Sequence, residues 1–296
     1  MRLTDELRAT LRDLRLNARS AAGADGLGMH ASRSRGAGLE FAQYRGYEPG
    51  DEPRRIDWKL YARSDRYFVR EAERDSPLTV WIVIDASASM ALVDRARTDF
   101  SKLDAAKLLA ACVIELAVRQ GDRFGLIGLS ADSVRFVADG SGARQRDRCL
   151  LELDQLASGG VLPDGGKLRP IWERVRPGSI VLFLSDCFDD GLIELALQLA
   201  VARREVLSIQ LLSAGERDFP FRGGHRFRDP ETGAELRVDG GAAREDFIRR
   251  FAAARDELAR RLAAAGVMHV EHVLDRPLDE PLRRLFGSTQ RVSERR

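Results

Sequence analysis

Apolar residues recur along this chain in two rhythms. Near the N-terminus Leu3, Leu7, Leu11 and Leu14 follow helical spacing, with Arg8, Arg12, Arg15 and Arg19 between them, which predicts an amphipathic helix over residues 1 to about 20. From Leu78 the run LTVWIVI is continuously apolar and β-rich, the pattern of a strand covered on both faces, and it ends in Asp85. A helix follows from about Ser101 to Gln120, with Leu103, Ala106, Ala110, Val113 and Ala117 on one face and Ser101 and Asp104 as a capping box. Strands are then predicted at RFGLIGLS and SVRFVA, helices near 143–156 and 168–175, and a second buried strand at SIVLFLSD, ending in Asp186. A helix over about 191–203, a strand at Glu205 to Leu212, a hairpin over 219–238, a helix over 243–264 and a strand from Val267 to Leu274 complete the series. Buried strands alternating with helices imply an α/β fold with a doubly wound, mostly parallel sheet.

The rhythm differs before Leu78. Residues 21–38 are rich in Gly, Ala and Ser and read as loop. Residues 39–75 are dense in polar and aromatic side chains, with a turn at Pro49-Gly50-Asp51 and a strand at Tyr67-Phe68-Val69. This divides the chain into residues 1–76, a helix with a β-rich addition; residues 77–288, the α/β domain; and a disordered tail over 289–296.

Composition narrows the function. Lys+Arg number 48 and Asp+Glu 46, a net charge of +2 that gives no general affinity for nucleic acid, although nearly all the basic residues are arginine. Cys112, Cys149 and Cys187 are odd in number and far apart, which argues against a disulfide framework or a zinc site. Leucines and arginines alternate from Leu3 to Leu16, so no signal-peptide apolar core is read there. The run Ala105 to Val118 carries Lys107 and Glu115 and is too short to span a bilayer. The expected location is the cytosol, compatible with docking to a membrane complex.

Two predicted core strands end in acids, giving Asp85-Ala86-Ser87-Ala88-Ser89 and Ser185-Asp186. Ligands of open α/β sheets sit beyond the carboxyl ends of the strands, near a switch in strand order. If the two strands are neighbours, Asp85, Ser87, Ser89 and Asp186 meet at one edge and offer hard oxygen donors suited to Mg²⁺ or Mn²⁺. The plain alternative is that these side chains only satisfy backbone groups in turns.

The D-x-S-x-S spacing after a buried strand resembles the metal-ion-dependent adhesion site of von Willebrand factor A domains. The likeness extends upstream, through G-M-H-A-S-R-S-R-G-A-G-L-E-F from Gly28, R-G-Y-E-P-G-D-E-P-R-R-I-D-W, and Ala62-Arg63. On these motifs the chain resembles, from about Gly28 to Leu285, the bacterial family called domain of unknown function fifty-eight. The resemblance implies a von Willebrand A-like core with an N-terminal β-rich addition. It also implies a MoxR-type AAA+ ATPase as partner in assembling or maturing a client protein. Many members carry N-terminal membrane helices, and none is read in this sequence. The adhesion site of such domains includes a threonine from a third loop. Here the matching stretch is Asp164-Gly165-Gly166-Lys167-Leu168, with Lys167 where threonine is expected. Two alternatives stay open: Mg²⁺ or Mn²⁺ held by Asp85, Ser87, Ser89 and Asp186, or the Lys167 ammonium beside the two aspartates in place of the ion.

Other residues invite attention. Arg54, Arg55, Asp57 and Trp58 could bind a partner's acidic segment with Trp58 as anchor, or Asp57 could pair internally with an arginine and lock the addition onto the core. His269 and His272, three apart on a strand, face opposite sides and make a poor metal pair. The role of His30 is not assigned by its loop. Gly166-Lys167 is no phosphate-binding loop, because Val161 and Leu168 stand where glycine and a hydroxyl residue are required. The expected function is a non-enzymatic protein-interaction module. The alternative is a metal-dependent phosphoester hydrolase using Asp85 and Asp186, for which no further base or nucleophile is located.

Overall fold

The N-terminal helix is shorter than its leucine spacing predicts. In the computed structural model it covers Asp5–Thr10 (α1), capped by the Thr4 side chain, and gives way to a 3-10 turn at Leu11–Asp13. Helix formation stops because the carbonyls beyond it are taken from outside. The Arg119 guanidinium donates to the carbonyls of Leu11 and Leu14 at 2.6 and 2.5 Å, and Leu14 bridges to Gly287. Residues 3–17, 41–48, 56–72, 77–94, 97–130 and 133–287 are described by the structure. His30, Arg54, Arg55, the Pro49-Gly50-Asp51 turn and the tail 289–296 lie outside them.

Contacts divide the chain into two units, Ser20–Pro77 and Met1–Arg19 with Leu78–Arg296. The first contains the antiparallel strands Phe41–Gly46 (β1) and Phe68–Ala72 (β2), with the helix Trp58–Ser64 (α2) between them. Tyr61 and Tyr67 stack in this unit with ring centroids 4.5 Å apart, and the Trp58 ring meets both edge-on.

The second unit is built on the strands Thr79–Asp85 (β3), a short antiparallel pair Val93–Asp94 (β4) and Arg97–Ser101 (β5), and the helix Lys102–Gln120 (α3). Next come Arg123–Ser130 (β6), Ser133–Gly140 (β7) and the helices Gly142–Gln155 (α4) and Gly165–Arg174 (α5). Ile180–Ser185 (β8), the helix Asp190–Val201 (α6), Glu205–Leu212 (β9) and the helix Ala214–Asp218 (α7) follow. A hairpin of Gly224–Arg228 (β10) and Glu235–Asp239 (β11), the helix Gly240–Ala264 (α8), Met268–Val273 (β12) and the helix Glu280–Phe286 (α9) complete the unit. The expected capping box of α3 is present: Ser101 Oγ accepts from the Asp104 amide while the Asp104 carboxylate accepts from the Ser101 amide.

Six strands form one sheet in the order β12-β9-β8-β3-β6-β7, all neighbours parallel except β6 and β7. Its two faces carry separate cores. One gathers Val80, Ile82, Ile84 and the apolar face of α3 with α4 and α9; the other gathers Trp81, Val83 and Ile127 with α5, α6 and α8. Helices on both faces of a mostly parallel sheet are the doubly wound arrangement expected from the sequence. Leu3, Leu11, Leu14 and Leu16 are buried in the first of these cores, so the N-terminal segment belongs to the same unit as the sheet.

The order of the strands creates the site. From β3 the chain winds outward through β6 and β7, then returns to the other side of β3 to lay down β8, β9 and β12. The sequence therefore reverses direction between β3 and β8, and the crevice beyond their carboxyl ends is where open α/β sheets receive ligands.

Candidate functional site at the β3–β8 switch point

The register of β3 on β8 runs from Val80 opposite Ile180 to Ile84 opposite Leu184, which brings Asp85 level with Ser185. Asp85 Oδ2 accepts from Ser185 Oγ at 2.6 Å, and Asp85 Oδ1 accepts from the Ser87 amide at 2.8 Å. One carboxylate thus fixes both the turn after β3 and the end of β8. The turn is further held by the third loop, where Gly159 donates to the Ala86 carbonyl and the Ala88 amide donates to Gly160, each at 2.9 Å. A 3-10 turn at Ala88–Ala91 then brings Ser89 beside Ser87, with their hydroxyl oxygens 3.0 Å apart. Asp85, Ser87, Ser89 and Asp186 are all buried.

Asp186 sits against an ammonium group, and that group belongs to Lys102. The Lys102 Nζ donates to Asp186 Oδ2 at 3.1 Å and to Glu216 Oε1 at 2.6 Å. It also lies 5.1 Å from the centre of the Phe188 ring, and the lysine is 0% exposed. Lys167, assigned to this place by its position in the third loop, stands exposed in the first turn of α5, where Asp164 caps its amide. The physical reason is local: capping by Asp164 starts α5 early and turns position 167 toward solvent. Lys102 is delivered because the Ser101 cap starts α3 at the rim of the sheet, and its neighbour Leu103 is drawn into the core.

Burial and the charge of Asp186 push the Asp85 carboxyl up to about 6, against the lowering hydrogen bonds from Ser185 and Ser87. The β10–β11 turn carries a carboxyl whose ionisation responds to Asp186. Burial and the charge of Asp186 raise the pKa of Glu231, while hydrogen bonds from the Ser87 and Ser89 hydroxyls lower it.

The donor chemistry suits a small hard cation. Adjacent ligands of an octahedral Mg²⁺ at about 2.1 Å stand about 3 Å from each other, which is the separation of the Ser87 and Ser89 hydroxyls. Among the described residues no group of three His, Cys, Asp or Glu side chains could hold a metal by itself.

The remaining candidates fall elsewhere. Asp57 accepts from the amides of Lys59 and Leu60, each at 3.0 Å, and so caps α2. Trp58 is 58% exposed. His269 Nδ1 lies 3.2 Å from Ser208 Oγ, and His272 is buried with burial holding it down at about 4. Cys187, at φ +61°, is next to the site, but burial pushes its thiol up to about 12. Lys102, Glu216 and Glu231 were not reached by sequence reasoning. Glu216 is the last residue of a second capping box, S-A-G-E from Ser213, which is a readable signal for a helix start but not for this site.

Comparison with known proteins gives the family of the chain. An uncharacterized protein of Mycobacterium tuberculosis is 29% identical over 293 residues, covering 97% of this chain and 90% of its own length. The structure of BatB from Bacteroides thetaiotaomicron covers 70% of this chain and 95% of its own at 14% identity and a TM-score of 0.43. The SpRpn10 VWA domain covers 71% and 95% at 13% identity and a TM-score of 0.41. The model of the family described as protein of unknown function DUF58 matches residues 43–257, and the chain belongs to that family.

Proposed function

We propose that this chain is a non-enzymatic protein-interaction module that receives a carboxylate of its partner at the β3–β8 switch point, acting as an adaptor or assembly factor with a MoxR-type AAA+ ATPase. The observation that carries the reading is that Asp85, Ser87, Ser89 and Asp186 lie buried at the adjoining ends of β3 and β8, with Asp85 spent on holding the two strand ends together. Mg²⁺ or Mn²⁺ in that crevice would offset the excess negative charge and leave a coordination position for an incoming carboxylate. The Ser87 and Ser89 hydroxyls would hold such an ion directly, and Asp186 would hold it or its water. Lys102 holds Asp186 in place from the side facing Glu216.

Hydrolysis of a phosphoester fits less well. Both oxygens of Asp85 are committed to structural hydrogen bonds, and the nearby thiol of Cys187 is held protonated by burial. No helix among the described residues is long and apolar enough to cross a membrane. Two measurements test the proposal. Titration calorimetry with Mg²⁺ and Mn²⁺ should give binding by the wild-type chain that is lost in Ser87→Ala. Pull-down with the MoxR-type ATPase should succeed with wild type and weaken with Asp85→Ala. No association in any nucleotide state would defeat the adaptor role.

A further inference from the structure

The β10–β11 hairpin stands apart from the six-stranded sheet. Among the described residues its strands pair only with each other, so each has an outer edge with no strand beside it. Phe227 fixes one face of the ribbon by stacking on Phe219 and meeting Phe221 edge-on. The other face carries Gly224, Arg226 and Arg228 of β10 and Glu235, Arg237 and Asp239 of β11, all exposed.

The register decides what the edges offer. The Gly240 amide donates to the Gly223 carbonyl at 2.7 Å and the Asp229 amide to the Ala234 carbonyl at 2.8 Å. These mark hydrogen-bonded pairs, and such pairs recur at every second position between them. Arg226 and Arg237 therefore face each other in a non-hydrogen-bonded pair, the kind that brings side chains closest. Like charges set directly opposite destabilise a ribbon. Glu235 offsets them only in part, at 3.4 Å from Arg226 with both side chains exposed. Arg228 and Arg237 have no carboxylate partner among the described residues, and Asp239 is taken up in capping α8. Arg226 and Arg237 both border a hollow of about 400 Å³, room enough for a carboxylate to approach the two together.

The backbone amides and carbonyls of non-hydrogen-bonded pairs point away from the partner strand. Those of Gly224, Arg226 and Arg228 thus line the free edge of β10, on the same residues whose guanidinium groups occupy the exposed face. The β11 edge is mixed, with Arg237 between Glu235 and Asp239.

We propose that the free edge of β10 is a docking site for an extended acidic segment of a partner protein, which adds to the ribbon as a third strand with carboxylates at alternate positions. Main-chain hydrogen bonds to Gly224, Arg226 and Arg228 supply affinity, and acids opposite Arg226 and Arg228 supply the choice of sequence. A residue opposite Arg226 lies on the same face, one strand from Arg237, so its carboxylate relieves the like-charge pair. A nucleic-acid strand has no alternating amides and carbonyls to match this edge, which favours a peptide. The surface uses none of Asp85, Ser87, Ser89 and Asp186 and so adds a second contact to the one proposed above.

The test titrates the full chain into a labelled, end-blocked peptide of about nine residues in which glutamate alternates with threonine, read by fluorescence anisotropy. Two controls are the glutamine counterpart and a peptide of the same composition with its glutamates consecutive. Wild type is expected to bind the alternating glutamate peptide at least about tenfold more tightly than either control. Arg226→Gln with Arg237→Gln, both at exposed positions, is expected to lose about tenfold in affinity with an unchanged circular dichroism spectrum. Hydrogen exchange of the β10 amides is expected to slow in the complex. Equal binding of the three peptides, no binding by wild type, affinity unmoved by the double substitution, or unchanged exchange in β10 would each overturn the proposal. A single-stranded oligonucleotide that binds these arginines more tightly than the glutamate peptide would overturn it in favour of nucleic acid.

Discussion

Lys102 Nζ lies 3.1 Å from Asp186 Oδ2, with both side chains removed from solvent, and the same ammonium reaches Glu216 at 2.6 Å. This ion pair joins the first turn of α3 to the end of β8 and to α7. A buried charge whose partner is deleted keeps its desolvation penalty and loses its compensation. Lys102→Met should therefore destabilise the chain by about 3–5 kcal/mol in urea unfolding. Adding Asp186→Asn should recover part of the loss, because the orphaned carboxylate is removed. A change below about 1 kcal/mol for the single variant would show that the pair is solvated.

The Asp85 carboxyl sets a pH dependence with a definite sign. Its folded pKa of about 6 is above the usual carboxylate range near 4, so the folded state binds the proton more tightly than the unfolded one between those values. In metal-free buffer this group lowers stability as pH rises from about 4 to about 6, and its contribution levels off above that. Asp85→Asn should flatten that slope, measured by urea unfolding at pH 4.5 and 7. An unchanged slope would mean that Asp85 titrates normally in the folded chain.

Metal affinity should follow the same group in the opposite sense. A cation favours the ionised carboxylate, so Mn²⁺ binding should tighten as pH rises through about 6. Calorimetry in buffers of different ionisation enthalpy should show proton release at pH 5.5 that fades by pH 7.5. Affinity independent of pH would separate any bound ion from Asp85.

Gly125 on β6 leaves no room for a side chain. A Cβ there would stand 2.6 Å from the Trp81 ring, which is itself buried in the second core. Gly125→Ala should cost about 1–3 kcal/mol through overpacking, read as a lower midpoint of thermal unfolding. Trp81→Phe in the same chain should relieve part of it. A midpoint equal to wild type would mean that the indole has space to shift.

No Mn²⁺-dependent turnover of a generic phosphomonoester is expected from the wild-type chain. Turnover that disappears in Asp85→Asn and Asp186→Asn would revive the hydrolase reading.

The sequence determined the layers of this protein and their order. Runs such as LTVWIVI and SIVLFLSD read as strands buried on both faces, and the acids that end them would meet at one edge if the strands were neighbours, which the β3–β8 pairing makes them. That is why Asp85, Ser87, Ser89 and Asp186 were legible as a group. Strand periodicity is local, and so are capping boxes such as Ser101 with Asp104. The tertiary structure alone decided which charges enter the crevice. Lys102 and Lys167 both follow helix starts, and nothing in their neighbours says that the first is buried against Asp186 while the second faces solvent. Glu231 sits in a turn whose residues specify a tight loop but not its destination. The N-terminal leucines read as a long helix because spacing records only amphipathicity; Arg119, a hundred residues away, claims the carbonyls on which that helix would have ended. A long polar side chain finds its partner through the packing of whole elements, and that distance is not written in the residues beside it.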